Sequence, residues 1–161
     1  MKVIFTTVRA IVYAFFFILI WYWVALAVRI YDKKIGIHLP VWLELPGIVL
    51  IVIGGFIVLI CIGVFIIRGK GTAAPFDAPR VFVALGPYRY VRNPMYIGGS
   101  TALFGFGLYE LSLSILLFTI IWFFFFHLFV VFVEEPGLEL RFGQSYIDYK
   151  KSVNRWIPGN K

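Results

Sequence analysis

Charge is what this sequence has least of. Asp, Glu, Lys and Arg make up 14% of its 161 residues, against about 25% in ordinary soluble domains, so little polar material is left to keep a compact surface wet. Acid is scarcer still: eight Asp and Glu stand against fifteen Lys and Arg, for a net charge of +7. Cysteine occurs once, at Cys61 inside an apolar run, which excludes an intrachain disulfide and suits an inert packing role. The two histidines, His38 and His127, are isolated, so no metal site is expected. Internal repeats and low-complexity tracts are absent.

What is abundant is grease. Hydrophobic residues reach 61% and aromatic ones 20%, and the apolar runs are long enough to span a bilayer. These features predict an all-α, polytopic integral membrane protein forming a single domain over residues 1–161. The basic residues flank the apolar runs instead of forming one soluble face, which points to headgroup anchoring and away from nucleic acid. The first apolar stretch, Ala10–Val28, ends in Trp21, Tyr22 and Trp23. That length and aromatic collar fit a retained span better than a cleaved leader.

About four transmembrane helices are expected. Spans at about 8–28 and 41–67 make up an N-terminal pair (1–67). A polar segment, 68–94, is rich in Gly and Pro and reads as irregular. Residues 95–133 are apolar apart from Glu110, which predicts a tight helical hairpin turning near Tyr109–Ser112, with spans at 95–109 and 111–133. Gly98, Gly99, Ser100, Ala102, Gly105 and Gly107 would let the third helix approach a neighbour closely. A polar C-terminal helix to about residue 151 completes the chain. Of the fifteen Lys and Arg, only Arg29, Lys33 and Lys34 fall in the first loop and none in the 109–112 turn, so the positive-inside rule puts both termini in the cytoplasm. The 68–94 segment and the tail then share one membrane face.

Those two segments carry the polar chemistry: "GPYRYVRNPMY" at 86–96, and "VEEPGLELRFGQSYIDY" from Val133. Arg89 and Arg92 precede the third span, and Glu134 and Glu135 stand where the fourth leaves the membrane. Carboxylates at a helix C-terminus oppose its dipole, which calls for compensation by arginine or by a ligand. Interfacial anchoring is the plainer use of any single one of these residues.

Taken together, "GPYRYVRNPMYIGG" and "HLFVVFVEEPGLELRFGQSYIDYKKSVNRWIP" closely resemble the isoprenylcysteine carboxyl methyltransferase and phospholipid methyltransferase superfamily. Its signature reads here as Arg92-Asn93-Pro94-Met95-Tyr96-Ile97-Gly98, Glu134-Glu135, Phe142-Gly143 and Tyr146/Tyr149, across about residues 72–158. The resemblance implies an integral-membrane enzyme using S-adenosylmethionine, with the cofactor in a cytoplasm-facing pocket built within residues 68–161. Carried over by position, Arg80, Val81, Phe82, Val83, Tyr88, Asn93, Pro94, Met95 and Tyr96 would line that pocket, and Glu134 and Glu135 would close it. The acceptor implied is lipophilic: an isoprenylcysteine-like carboxylate or thiol, or a phospholipid amine.

Two positions depart from the family pattern. The usual histidine is Asn93, which can hydrogen-bond but cannot titrate. The substrate-carboxylate arginine of the isoprenylcysteine enzymes is Val130, leaving Arg92 and Arg155 as substrate-binding candidates. His127 lies seven residues before Glu134, two helical turns deeper on the same face, and is the candidate for proton transfer. The alternatives are an NADPH-dependent membrane reductase of the steroid-reductase type, or a small transporter or scaffold using Glu44, Glu110 and His127.

Overall fold

The computed structural model describes residues 2–69 and 81–159; residues 70–80, Arg80 among them, lie outside the described residues. Every regular element described is helical. Helix α1 (Lys2–Arg29) is followed by the single-turn α2 (Asp32–Ile35), which ends at Gly36 in the left-handed region (φ 69°). After an extended link and a 3-10 turn, α3 (Glu44–Val64) runs into a π turn at Phe65–Gly69. Then come α4 (Pro94–Tyr109), α5 (Leu113–Phe129), a second π turn (Val130–Glu134), α6 (Glu135–Phe142) and α7 (Gln144–Ser152).

Three helical stretches are long and apolar enough to cross a membrane: Ile4–Ile35, Val41–Arg68 and Leu113–Phe142. Helix α4 has 16 residues, about 24 Å at 1.5 Å per residue, less than the ~30 Å hydrocarbon core. The large apolar side chains point outward, Phe16, Val52 and Phe124 among them. The contacts of α4 with its neighbours rest instead on small residues, as expected where surrounding lipid is as apolar as leucine and close backbone approach drives association.

The α3–α4 seam shows this directly. Gly47 and Gly54 are seven residues apart, as are Gly98 and Gly105, and on antiparallel helices the two pairs meet in register. A Cβ on Gly105 would lie 2.6 Å from the Gly47 carbonyl, and one on Gly98 would lie 2.8 Å from the Gly54 carbonyl. Gly107 faces Ile115 and Leu116 of α5 in the same way. Between α4 and α5 the chain reverses over Glu110–Ser112. Leu111 takes φ 51°, the Ser112 N–H donates to the Gly107 carbonyl (2.9 Å), and Ser112 Oγ caps α5 by accepting from the Ile115 N–H (3.2 Å).

Helix α1 leans on α5 through Trp21, whose ring meets Phe118, Trp122 and Phe126, and through the fully buried Ala25. At its end Arg29 pairs with Glu110, and Asp32 Oδ1 accepts from the Ser114 N–H at 2.9 Å. The tail expected as one helix is two. Gly143, at φ 55° and ψ −132°, separates α6 from α7 with a backbone conformation that a Cβ would obstruct.

Candidate functional site

The site lies at the end of the bundle opposite the Arg29–Glu110 pair. From Val81 the chain has no regular structure until a 3-10 turn at Gly86–Arg89, and it enters α4 at Pro94. Proline suits that first helical position, since its missing N–H would have had no helical partner. The tail is stitched to this segment by backbone. The Arg92 N–H donates to the Asn154 carbonyl (2.9 Å), the Asn93 side-chain amide to the Arg155 carbonyl (3.4 Å), and the Tyr149 hydroxyl to the Tyr88 carbonyl (2.6 Å). Phe82 packs among Phe142, Tyr146 and Tyr149. The two polar segments singled out in the sequence are therefore one structural unit.

Within that unit the acidic pair divides. Glu135, 3% exposed, is a hub: Arg155 donates to it through Nε (2.7 Å) and Nη2 (3.0 Å), Arg92 Nη2 lies 3.1 Å away and Lys150 Nζ 3.5 Å away. Arg92, 7% exposed, still has Nε and Nη1 buried with no hydrogen-bond partner among the described residues. Glu134 accepts one bond, from the Tyr96 hydroxyl (2.8 Å), and pairs with no cation among the described residues. One carboxylate is saturated by positive charge, while its half-buried neighbour has a single neutral partner among the described residues.

The dipole expectation is corrected here. No helix ends at residues 134–135, because the helix continues to Phe142, so neither carboxylate sits on a C-terminal dipole. What lies there is the π turn Val130–Glu134, in which the Glu135 N–H reaches back five residues to the Val130 carbonyl. Pro136 supplies the cause: its ring would clash with the carbonyl four residues earlier, and widening the preceding turn relieves that clash. The extra residue in the turn swings Glu134 and Glu135 toward different partners.

His127 Nδ1 accepts from the Trp156 indole N–H at 2.9 Å, which spends that nitrogen's lone pair. Trp156 also packs on Phe123 (5.0 Å between centroids) and edge-on to Tyr96 (6.4 Å). Burial pushes the Tyr88 hydroxyl far above the ordinary phenol range, with Cys61 beside it adding to the effect. Burial likewise raises Tyr146, near Glu135, and Tyr149, near Tyr146, so all three stay protonated hydrogen-bond donors. Of the remaining sequence candidates, Val83, Asn93 and Pro94 are buried, Phe82 and Met95 half-buried, and Val81 exposed. Val130, where the family arginine was missing, is fully buried in the π turn.

Sequence reasoning overlooked Trp156 and Lys150. The partners they meet are 29 residues back for Trp156, and 15 and 11 back for Lys150, so local spacing carries no signal of either.

A helical bundle with membrane-length apolar helices, and one polar unit built at its end from two distant segments, describes an integral membrane protein with a candidate site at one end of the bundle. The phospholipid methyltransferase family model matches residues 43–145, and the chain belongs to that family of membrane methyltransferases. No curated protein and no solved structure matches the chain. The match takes in α3, which the sequence reading treated as a generic span, and stops before Arg155 and Trp156.

Proposed function

We propose that this protein transfers a methyl group from S-adenosylmethionine to a lipophilic acceptor at the cytoplasmic face of a membrane. On this reading α4 is a fourth, short span, α4 and α5 form a hairpin, both termini are cytoplasmic, and residues 68–161 hold the cofactor. One observation carries it: the half-buried Glu134 accepts from Tyr96 and meets no cation among the described residues, while Arg92 has two buried guanidinium nitrogens unpartnered. That donor set fits a zwitterionic, cationic ligand. Glu134 is suited to the ammonium or the ribose hydroxyls, the free nitrogens of Arg92 to the carboxylate, and the Tyr96 ring to a sulfonium.

Bound there, the cofactor would supply a methyl carbon already activated on sulfur, which an acceptor lone pair would take as the C–S electron pair returned to sulfur, with the proton of an amine or thiol acceptor passing to water. The residues here position, and positioning supplies much of the rate in a displacement of this kind. Glu135 clamps the tail arginine and Arg92 so that the two segments meet. His127 holds Trp156 against Tyr96, a positioning role, because its Nδ1 lone pair is already engaged.

Calorimetric titration of detergent-solubilised protein with S-adenosylhomocysteine tests the reading. Binding that Glu134→Gln weakens at least tenfold is expected, as for a hydrogen bond to a charged group. Binding of NADPH in its place, or Glu134→Gln indistinguishable from the parent, overturns it.

A further inference from the structure

Helix register fixes how deep the site lies. Along the α3–α4 seam Gly105 meets Gly47 and Gly98 meets Gly54, so each step back along α4 is one step forward along α3. The start of α4 at Pro94 is then level with Val58 of α3. On its other side Gly107 meets Leu116, Gly99 meets Trp122 and the Tyr96 ring meets Phe126. Those contacts put Pro94 level with Leu128 of α5.

Beyond these levels both neighbours stay apolar. On α3 the first charge is Arg68, ten residues past Val58, or about 15 Å at the helical rise. On α5 it is Glu134, six residues past Leu128, or about 9 Å. Ile67 and Phe132, near the ends of these two stretches, are exposed and call for a covering of lipid. Leu45–Ile67 carries no charge over 23 residues, about 34 Å against the ~30 Å hydrocarbon core, so the boundary falls near Arg68 and not at Pro94. The Tyr96 ring, Phe126 and His127 therefore lie about 9–15 Å inside it, with Trp156 packed beside Tyr96 and His127.

That depth selects among nucleophiles. Helices α3, α4 and α5 carry no carboxylate between Leu45 and Ile67, Pro94 and Tyr109, or Leu113 and Val133, and Glu134 is committed to the cofactor in the methyl-transfer reading. An ammonium at this level would stand in hydrocarbon without a counter-charge, which is costly. The amine of a phosphodiester lipid is also held outside the boundary by its own phosphate. A thiol is itself a small hydrophobe, and a phenol is uncharged at neutral pH.

We propose that the methyl acceptor carries an uncharged S–H or aryl O–H nucleophile joined directly to its hydrocarbon body and reaches the site from within the bilayer. The depth stands on helix register; the acceptor class rests on the methyl-transfer reading. In the transfer, the acceptor's sulfur or oxygen lone pair bonds to the methyl carbon as that carbon's bond to the cofactor sulfur breaks. S-adenosylhomocysteine leaves, and the acceptor's proton passes to water.

Two measurements on the full chain in vesicles test this. In a Cys61→Ser background, nitroxides attached at Leu128→Cys and Leu140→Cys are compared by oxygen- and nickel-dependent relaxation. The label at position 128 should lie about 9 Å inside the hydrocarbon and the label at 140 in water; position 128 at headgroup level overturns the depth. Methyl-labelled S-adenosylmethionine is then supplied with dodecanethiol, dodecylphenol or dioleoyl phosphatidylethanolamine in the bilayer. Incorporation into the thiol or the phenol at least about tenfold above the amine is expected, from the cost of burying a charge. Equal or faster incorporation into the amine overturns the acceptor class. S-adenosylhomocysteine titration of the same sample separates the two readings. Absence of binding sinks methyl transfer while the nitroxides still decide the depth, and binding with no methyl on thiol or phenol sinks the acceptor class alone.

Discussion

Glu134 and Glu135 are neighbours in sequence with opposite duties. Glu135→Gln removes the charge that neutralises Arg92 and Arg155. Breaking a buried ion pair from one side costs about 3–5 kcal/mol, so a lower midpoint of thermal unfolding in detergent is expected. Glu134→Gln keeps an acceptor for the Tyr96 hydroxyl and leaves no buried cation unpaired, so its unfolding midpoint should match the parent while cofactor affinity falls. Equal destabilisation by both would contradict this division. His127 makes a second contrast. Gln at 127 can still accept from Trp156 and should retain turnover where Ala loses it; a proton-transfer residue would lose activity in both. The buried tyrosines have a pH signature. Their folded-state affinity for the proton is raised, so the stability they contribute is intact below about pH 10, the ordinary phenol value, and is lost as pH rises beyond it. Tyr88→Phe or Tyr149→Phe should therefore leave the tyrosinate absorbance reached at pH 10 unchanged. A drop in that amplitude would mean that the hydroxyl titrates normally.

Two helical elements owe their form to single residues. Pro136 forces the π turn that aims the acidic pair; Pro136→Ala permits a regular helix, which rotates Glu134 away from Tyr96. Loss of S-adenosylhomocysteine binding with unchanged helical circular dichroism is expected. Along α3, adjacent glycines differ completely. A side chain at Gly54 would collide with the Gly98 carbonyl and with Ala102, whereas one at Gly55 meets nothing within 4 Å. Gly54→Leu should therefore prevent a folded, monodisperse preparation, and Gly55→Leu should be tolerated. Similar behaviour of the two in size-exclusion chromatography would argue against the close α3–α4 approach.

Across the whole molecule, polar contacts gather at the two ends of an apolar bundle. One end is held by Arg29–Glu110 and by Asp32 on the Ser114 N–H; the other carries the Glu135 hub and the site. The proposed orientation puts the first end outside. In a Cys61→Ser background, a membrane-impermeant maleimide should label Lys33→Cys in intact cells and Ser152→Cys only after permeabilisation. The reverse pattern would invert the topology and with it the side from which cofactor enters.

Membrane residence, helical class and the two polar stretches that pack together were legible in the residues themselves, because apolar run length and Gly/Pro punctuation are local properties of a chain. The small-residue face of α4 was legible for the same reason. What reading along the chain could not place was the electrostatics: Glu134 and Glu135 read as an equivalent pair at a helix end, and no local pattern ties Arg155 to Glu135. Only tertiary structure assigned those charges. Arg92 and Arg155 reach Glu135 from 43 and 20 residues away because the antiparallel packing of α3, α4 and α5 brings the two polar segments to one end. Which carboxylate is saturated, and which meets no cation among the described residues, goes with the widened turn before Pro136, whose ring cannot pack against the carbonyl four residues earlier.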